Sequence, residues 1–267
     1  PGFCSLLREL DVPWLTSDMS FSARMEGPGV EYNGTSTASL FAQWTNLFRP
    51  RFWSMIRGIL RFYKEAPELL KLPAGEPSPS LGEFLRRGGY SKAFIEWHMI
   101  PMACAVWSGK PGEILEFPAR TLVRFFHNHG FLQVDDRPPW LTVRGGSRAY
   151  AHKLLQPLGD RVRTSSPVER VNARGVGDVE VTVAGKAPER FDRVVLACHA
   201  DQALGMLEEP TNVEKDVLGA IRFQPNSVIL HTDASLMPKR KAAWAAWNAH
   251  VPANAPTEGE LVRVTYW

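Results

Sequence analysis

Apolar positions recur at helical spacing through the first half of the chain and alternate through much of the second. Between residues 36 and 130 the pattern is helical. Within it Phe52, Trp53, Ile56, Ile59, Leu60 and Tyr63 fall at i, i+1, i+4, i+7, i+8 and i+11, one face of a helix over 51–64. Pro67 and the loop 73–79 end that helix, and Ser80 is placed to cap a helix over 81–87. Two more helices are predicted, over 91–106 around Pro101 and over 119–129. Ahead of this module lie a short helix at 3–11 and strands at 19–25 and 30–32, joined by the Gly27-Pro28-Gly29 turn. After it, 133–140 reads as a linker, with Asp135 and Asp136 as solvated turn residues. Strands follow at 168–171, 179–183, 191–197, 221–232 and 261–267, with helices at 200–207 and 213–219.

Composition narrows the class without naming it. With 44% hydrophobic and 22% charged residues the chain is ordinary for a folded protein, and its 267 residues suffice for one large or two modest domains. A net charge of +3 does not indicate nucleic acid. Cys4, Cys104 and Cys198 form no C-x-x-C pair, so neither a disulfide framework nor structural zinc is expected, and a cytoplasmic location is the default. His127-Asn128-His129 has no acidic or cysteine company, so no metal site is predicted. There is no signal peptide and no apolar run of transmembrane length. The chain opens inside a helical pattern and stops on an unclosed strand pattern, so it reads as an internal piece of a longer protein, inactive alone.

One region carries chemistry. Trp140-Leu141-Thr142-Val143-Arg144 runs into Gly145-Gly146-Ser147 and an amphipathic helix reaching Leu158. A helix beginning there offers unpaired N–H groups and the positive end of its dipole, which suits an anion or a nucleotide edge. Taken alone the turn is more simply a helix entry with Ser147 as N-cap, and Ser147 lacks the G-x-S-x-G setting of a hydrolase nucleophile. Next come Ser166-Pro167-Val168-Glu169-Arg170-Val171 and Phe191-Asp192-Arg193-Val194-Val195-Leu196-Ala197-Cys198-His199. Cys198 and His199 make no nucleophile–base pair, because neighbours on a strand face opposite ways.

This order of blocks resembles the middle of the flavin amine oxidase and phytoene desaturase superfamily. Ser17-Asp18-Met19-Ser20-Phe21-Ser22, Leu47-Phe48-Arg49-Pro50-Arg51-Phe52-Trp53 and Trp140 to Ser147 are similar to a bacterial amine oxidase-like branch associated with cyclopropane fatty acid synthase. The resemblance implies an α/β (mixed α+β) fold of the FAD-linked amine oxidase kind, with a helical substrate module and a mixed or antiparallel sheet. It divides the chain into 1–35 (connecting part of the nucleotide-domain region), 36–132 (helical substrate side), 133–207 (FAD-contacting part) and 208–267 (substrate-domain sheet). It implies FAD as cofactor, with Gly145, Gly146, Ser147, Val168, Ala197 and Cys198 at the nucleotide. No G-x-G-x-x-G occurs, so the main phosphate turn of such a protein is not in this sequence.

Amine-oxidising members of the superfamily carry a lysine on a substrate-domain strand. The matching stretch here, Asn226 to Asp233, has none, and Leu230 stands nearest that place. His231 is a weak candidate for a base, against the simpler reading of a strand histidine. Trp140, Trp244 and Trp247 are candidates for a substrate cavity, helical packing being the alternative. The helix from Arg51 to Lys64 sets Arg57, Arg61 and Lys64 on one stripe, a possible peripheral contact with an anionic membrane or simply a solvated face. The resulting expectation is an FAD-dependent oxidoreductase taking hydride from an apolar, possibly fatty-acyl, small-molecule or lipid substrate. The alternative is a non-catalytic flavin-fold accessory module of a lipid-modifying system.

Overall fold

Alternation at 19–25 and 30–32 does produce a hairpin, and it becomes the centre of a sheet that no local pattern announces. In the computed structural model, which describes residues 2–73, 75–134, 138–223, 225–253 and 262–267, nine strands are found among the described residues. They are β1 (Trp14–Ser17), β2 (Phe21–Met25), β3 (Val30–Asn33), β4 (Trp140–Val143), β5 (Val168–Gly175), β6 (Asp178–Val183), β7 (Glu189–Phe191), β8 (Trp247–Val251) and β9 (Arg263–Tyr266). The chain forms two compact units, one from residues 13–144 and 230–267, the other from residues up to 12 and 145–229.

In the first unit the strand order is β3-β2-β8-β9. β2 pairs antiparallel with β3 and parallel with β8, Phe21 opposite Trp247 and Met25 opposite Val251. A parallel partner needs a long crossover, and here it arrives more than two hundred residues later. Ala23, Met25, Val30 and Tyr32 are buried against Phe52, Met55, Ala93 and Trp97 of the helices. A second core lies within the helical module, with Phe62, Leu81, Leu85, Phe94, Leu122 and Phe126 buried together. The Pro50–Glu65 helix serves both cores, and its Phe52, Met55, Gly58 and Phe62 are its buried residues. The helices end where their caps say: Ser80 Oγ accepts from Glu83 N while the Glu83 carboxylate accepts from Ser80 N, starting the helix Leu81–Arg87.

The second unit holds the meander β5-β6-β7 and the helices Gly2–Glu9, Ser147–Leu155, Ala200–Met206 and Asn212–Ala220. Val171 and Val183 are buried under it, and Glu208 N donates to Val171 O, tying the helix Ala200–Met206 to β5. The architecture is therefore mixed α/β with antiparallel and mixed sheets.

Three expectations are corrected. The strand at 191–197 stops at Phe191, and 221–232 forms no strand among its described residues. Val195, 89% exposed, and Leu230, wholly exposed, show why: alternation marks a strand only when a neighbour closes its hydrogen bonds. β1 and β4, which pair antiparallel, went unpredicted. The cap before Ser147 is Gly146, whose φ of 73° places it outside the helix, so Ser147 is the first helical residue. Asp135, Asp136 and Leu261 lie outside the described residues.

Candidate functional site

A cavity of about 220 Å³ opens in the first unit, where the segment between β1 and β2 meets the helical module and the entry to β4. Phe21, Met102, Phe131 and Trp140 give it apolar walls, and Asp18, His98 and His129 bring its titratable groups. Asp18 is tied down locally: Oδ1 accepts from Ser20 N at 3.0 Å, and its other oxygen accepts from Ser20 Oγ. His129 Nδ1 lies 2.7 Å from Phe125 O, which can only accept. That contact puts the ring proton on Nδ1 and leaves Nε2 as the acceptor of a neutral imidazole. The His129 ring stacks on Phe125 at 3.9 Å and on Trp140 at 5.8 Å, so it is fixed in orientation.

His98 is the most constrained of the three. It sits in a π-turn, Ile95–Met99, between the helical segments Lys92–Phe94 and Ile100–Trp107. Such turns widen a helix by one residue and occur often at functional sites. The cause is visible two residues on from Met99. Pro101 has no N–H to give to the carbonyl four residues back, that of Trp97. A carbonyl left without its helical donor must find another. Tyr32 supplies it, Oη donating to Trp97 O at 2.8 Å. The same Oη lies 2.9 Å from His98 Nδ1. Since the single phenol proton goes to the carbonyl, Nδ1–H donates to Oη, and the acceptor of the neutral His98 ring is Nε2. Burial pushes the Tyr32 phenol well above its usual range, with the nearby Tyr63 adding to the effect, so it remains a donor at ordinary pH. His98 is buried, packed by Phe94 at 5.9 Å and edge-on to Phe21 at 6.2 Å.

Sequence reasoning passed over His98, because a lone histidine among apolar helix residues reads as core. The signal available was its place beside Trp97, four residues before Pro101. Of the tryptophans singled out, Trp140 lines the cavity, whereas Trp244 and Trp247 pack elsewhere on the sheet. Trp244 Nε1 donates to Pro238 O and its ring meets Trp267 edge-on; Trp247 pairs edge-on with Tyr266. His231 is exposed, Nδ1 accepting from Asp233 N at 3.1 Å.

The residues expected at a nucleotide all fall in the second unit. Gly145 and Gly146 have φ of 80° and 73°, and a Cβ on Gly146 would meet nothing within 4 Å, so the turn is open to an approaching ligand. The helix Ser147–Leu155 has no side-chain cap, and Ala149 N donates to Gly146 O at 3.1 Å. Val168 opens β5 opposite Val183, and Ala197 and Cys198 are exposed in an extended segment outside any strand. This set fits the edge of a dinucleotide. It does not supply a pyrophosphate turn.

A sequence model of the family described as flavin containing amine oxidoreductase matches residues 32–261. No curated protein matches the sequence significantly. Among solved structures, a putrescine oxidase with bound putrescine is similar at a TM-score of 0.58 and 15% identity, covering 81% of this chain and 49% of that one. Cyclohexylamine oxidase from Brevibacterium oxydans is similar at 0.56 and 15% identity, over 81% of this chain and 49% of that one. A CLA-producing fatty acid isomerase from P. acnes is similar at 0.52 and 13% identity, over 81% of this chain and 48% of that one. At these identities the likeness is one of fold, and this chain spans about half the length of each of those proteins.

Proposed function

We propose that this chain, which belongs to the flavin containing amine oxidoreductase family, serves an FAD-dependent oxidoreductase acting on an apolar, fatty-acyl substrate. The observation that carries this reading is the chemistry of the cavity: aromatic and thioether walls, two imidazoles with fixed tautomers, and no lysine among its described lining residues. An acyl chain needs apolar walls, which Phe21, Met102, Phe131 and Trp140 give this cavity, and the carboxylate of Asp18 is engaged by Ser20. The sequence match that sets Leu230 nearest the lysine of amine-oxidising relatives favours the same reading, although that stretch forms no strand among its described residues. So does the resemblance to the branch associated with cyclopropane fatty acid synthase. One structural neighbour, the P. acnes protein, is by its name a fatty acid isomerase.

FAD, when bound, supplies an acceptor for hydride. Gly145, Gly146 and Ser147 would hold its nucleotide through backbone N–H groups, with Val168, Ala197 and Cys198 beside it. In the cavity Phe21, Met102 and Trp140 orient the chain and exclude water. His98 Nε2, the acceptor side of its ring, would hold the proton released from the acyl chain. Tyr32 Oη keeps Nδ1 protonated throughout and receives part of the positive charge that develops on the ring.

The decisive measurement is the visible spectrum after incubation with FAD and desalting, followed by anaerobic addition of saturated fatty acyl substrates. Retained flavin that bleaches with acyl substrate, and does so far more slowly in His98→Gln, is the expected result in a protein that also carries a pyrophosphate turn, which this sequence does not supply. Flavin that dithionite reduces but no lipid or amine does would overturn it. That outcome would favour an accessory module for a lipid-modifying system, a reading to which the absent lysine also lends itself.

A further inference from the structure

Residues 43–48 invert the usual rule of burial. Gln43 and Asn46 are buried, while Trp44 is 65% exposed, Phe48 76% and Leu47 44%. The polar pair is committed to the sheet edge: Gln43 accepts from Glu31 N at 2.8 Å and donates to Gly29 O at 2.9 Å, and Asn46 Nδ2 donates to Glu31 O at 3.0 Å. These bonds hold the 3-10 turn Trp44–Phe48 as a rigid platform, so the large side chains are presented outward by construction. Trp44 and Phe48 meet edge-on at 6.1 Å, and Trp53 Nε1 donates to Leu47 O at 2.8 Å. At roughly 200 Å² per aromatic side chain, Trp44, Phe48 and Trp53 alone leave on the order of 350 Å² of apolar surface bare. Beside them is an open groove of about 340 Å³ lined by Leu47, Phe48, Pro50, Trp53 and Arg57.

Within the segment that carries this platform the charge has one sign, although Glu96 approaches Arg51 from a neighbouring element. Between residues 32 and 64 there are five Arg and Lys residues and no Asp or Glu. Arg49 spends its guanidinium on the carbonyls of Pro28 and Gly29, which leave its charge in place. Arg51 lies over the Trp97 ring, with Glu96 at a loose 4.0 Å, and Arg57 forms no ion pair among the described residues. Arg61, by contrast, is taken up by Glu65 at 2.7 Å and lies over the Tyr90 ring. The basic stripe is thus paired most closely at its far end, while beside the bare aromatics Arg57 has no ion pair among the described residues.

We infer that the turn Trp44–Phe48 and the first turns of the Pro50–Glu65 helix are a docking surface for an anionic lipid bilayer. Trp44, Leu47 and Phe48 enter the interfacial layer, where amphipathic rings are favoured, and Arg49, Arg51 and Arg57 meet the phosphates. The groove under Phe48 is open to an acyl chain lifted from that layer. No helix among the described residues is long and apolar enough to cross a membrane. The contact is therefore interfacial, and it does not depend on which substrate the cavity takes.

The test is sedimentation of the full chain with sucrose-loaded vesicles of phosphatidylcholine mixed with phosphatidylglycerol, and with phosphatidylcholine alone. The expected result is salt-sensitive binding to the mixed vesicles and much weaker binding to the neutral ones. Trp44→Ser with Phe48→Ser should lower the partition coefficient by at least about tenfold, and Arg57→Gln by about fivefold. Both sites are exposed, and circular dichroism checks that the variants keep their fold. Absence of binding to anionic vesicles, or variants that bind as the parent does, overturns the proposal. A concentration-dependent dimer that the double variant abolishes also overturns it, assigning the platform to a second copy. Vesicle binding is read without flavin, so its failure leaves the oxidoreductase reading standing.

Discussion

Replacing Gly58 by alanine should destabilise the protein, although alanine is the better helix former. Gly58 is buried midway along the Pro50–Glu65 helix, where it faces Phe94. A methyl group there would fall 2.6 Å from Phe94 Cβ and 2.7 Å from Cγ, about 1 Å inside the optimal separation of carbon atoms. The root of the Phe94 side chain cannot swing aside, and its ring is fully buried between Phe62 at 5.7 Å and Tyr90 at 5.1 Å. The two helical segments must therefore separate. Helix propensity favours the substitution by about 1 kcal/mol, and overpacking of this severity opposes it by about 3 kcal/mol. A net loss of about 2 kcal/mol should appear as a lower urea midpoint by circular dichroism. Gly112→Ala is the control: in the helix Pro111–Glu116 its new Cβ meets nothing within 4 Å, so its midpoint should equal or exceed the parent's. A Gly58→Ala protein as stable as Gly112→Ala would refute the reasoning.

Tyr32→Phe should cost about 1–3 kcal/mol by leaving the Trp97 carbonyl and His98 Nδ1 without their partner, and a variant as stable as the parent would deny that network. Burial pushes the Cys104 thiol up to about 12, with Glu113 adding to it, so Cys104 should resist a thiol reagent at mildly alkaline pH until denaturant is added, while exposed Cys198 reacts at once. Equal rates at the two would contradict the packing. The Arg61 side chain, and then the Tyr90 hydroxyl, hold the Glu65 carboxyl below its ordinary value of 4.5 against the opposing effect of burial. A carboxylate held low in the folded state stabilises it above the unfolded value and loses that contribution as pH falls through the depressed one. Glu65→Gln should accordingly flatten the acid side of the stability curve, by less than about 1 kcal/mol because the pair is well exposed. Parallel curves for parent and variant would show that the pair contributes nothing.

Local chemistry in the sequence announced the elements that need only themselves. The apolar stripe from Phe52 to Tyr63 became the Pro50–Glu65 helix, and the Ser80 cap formed with its reciprocal Glu83. Alternation at 168–171 and 179–183 became β5 and β6, which close a hairpin around Gly177. Long-range pairings left no such trace. Nothing near Phe21 foretells Trp247 beside it, and Trp14–Ser17 is a strand only because Trp140–Val143 lies alongside. The same dependence explains the failures at 191–197 and 221–232, whose apolar alternation has no partner strand among the described residues. At the cavity, Trp140 was legible as a large aromatic beside a turn. His98 was not, because its distinction comes from Tyr32, sixty-six residues away.

Pro101 shows how far from a cavity its chemistry can be written. It is not among the lining residues. Yet by withholding one N–H it summons the phenol of Tyr32, and the phenol in turn decides which nitrogen of His98 carries a proton. A backbone vacancy thus acts as a tautomer selector for a side chain. Pro101→Ala would mend the helix while touching no wall of the cavity, and would free the imidazole to invert its donor and acceptor. Residues that govern a site in this way leave its shape unchanged, and a survey of shape alone passes them by.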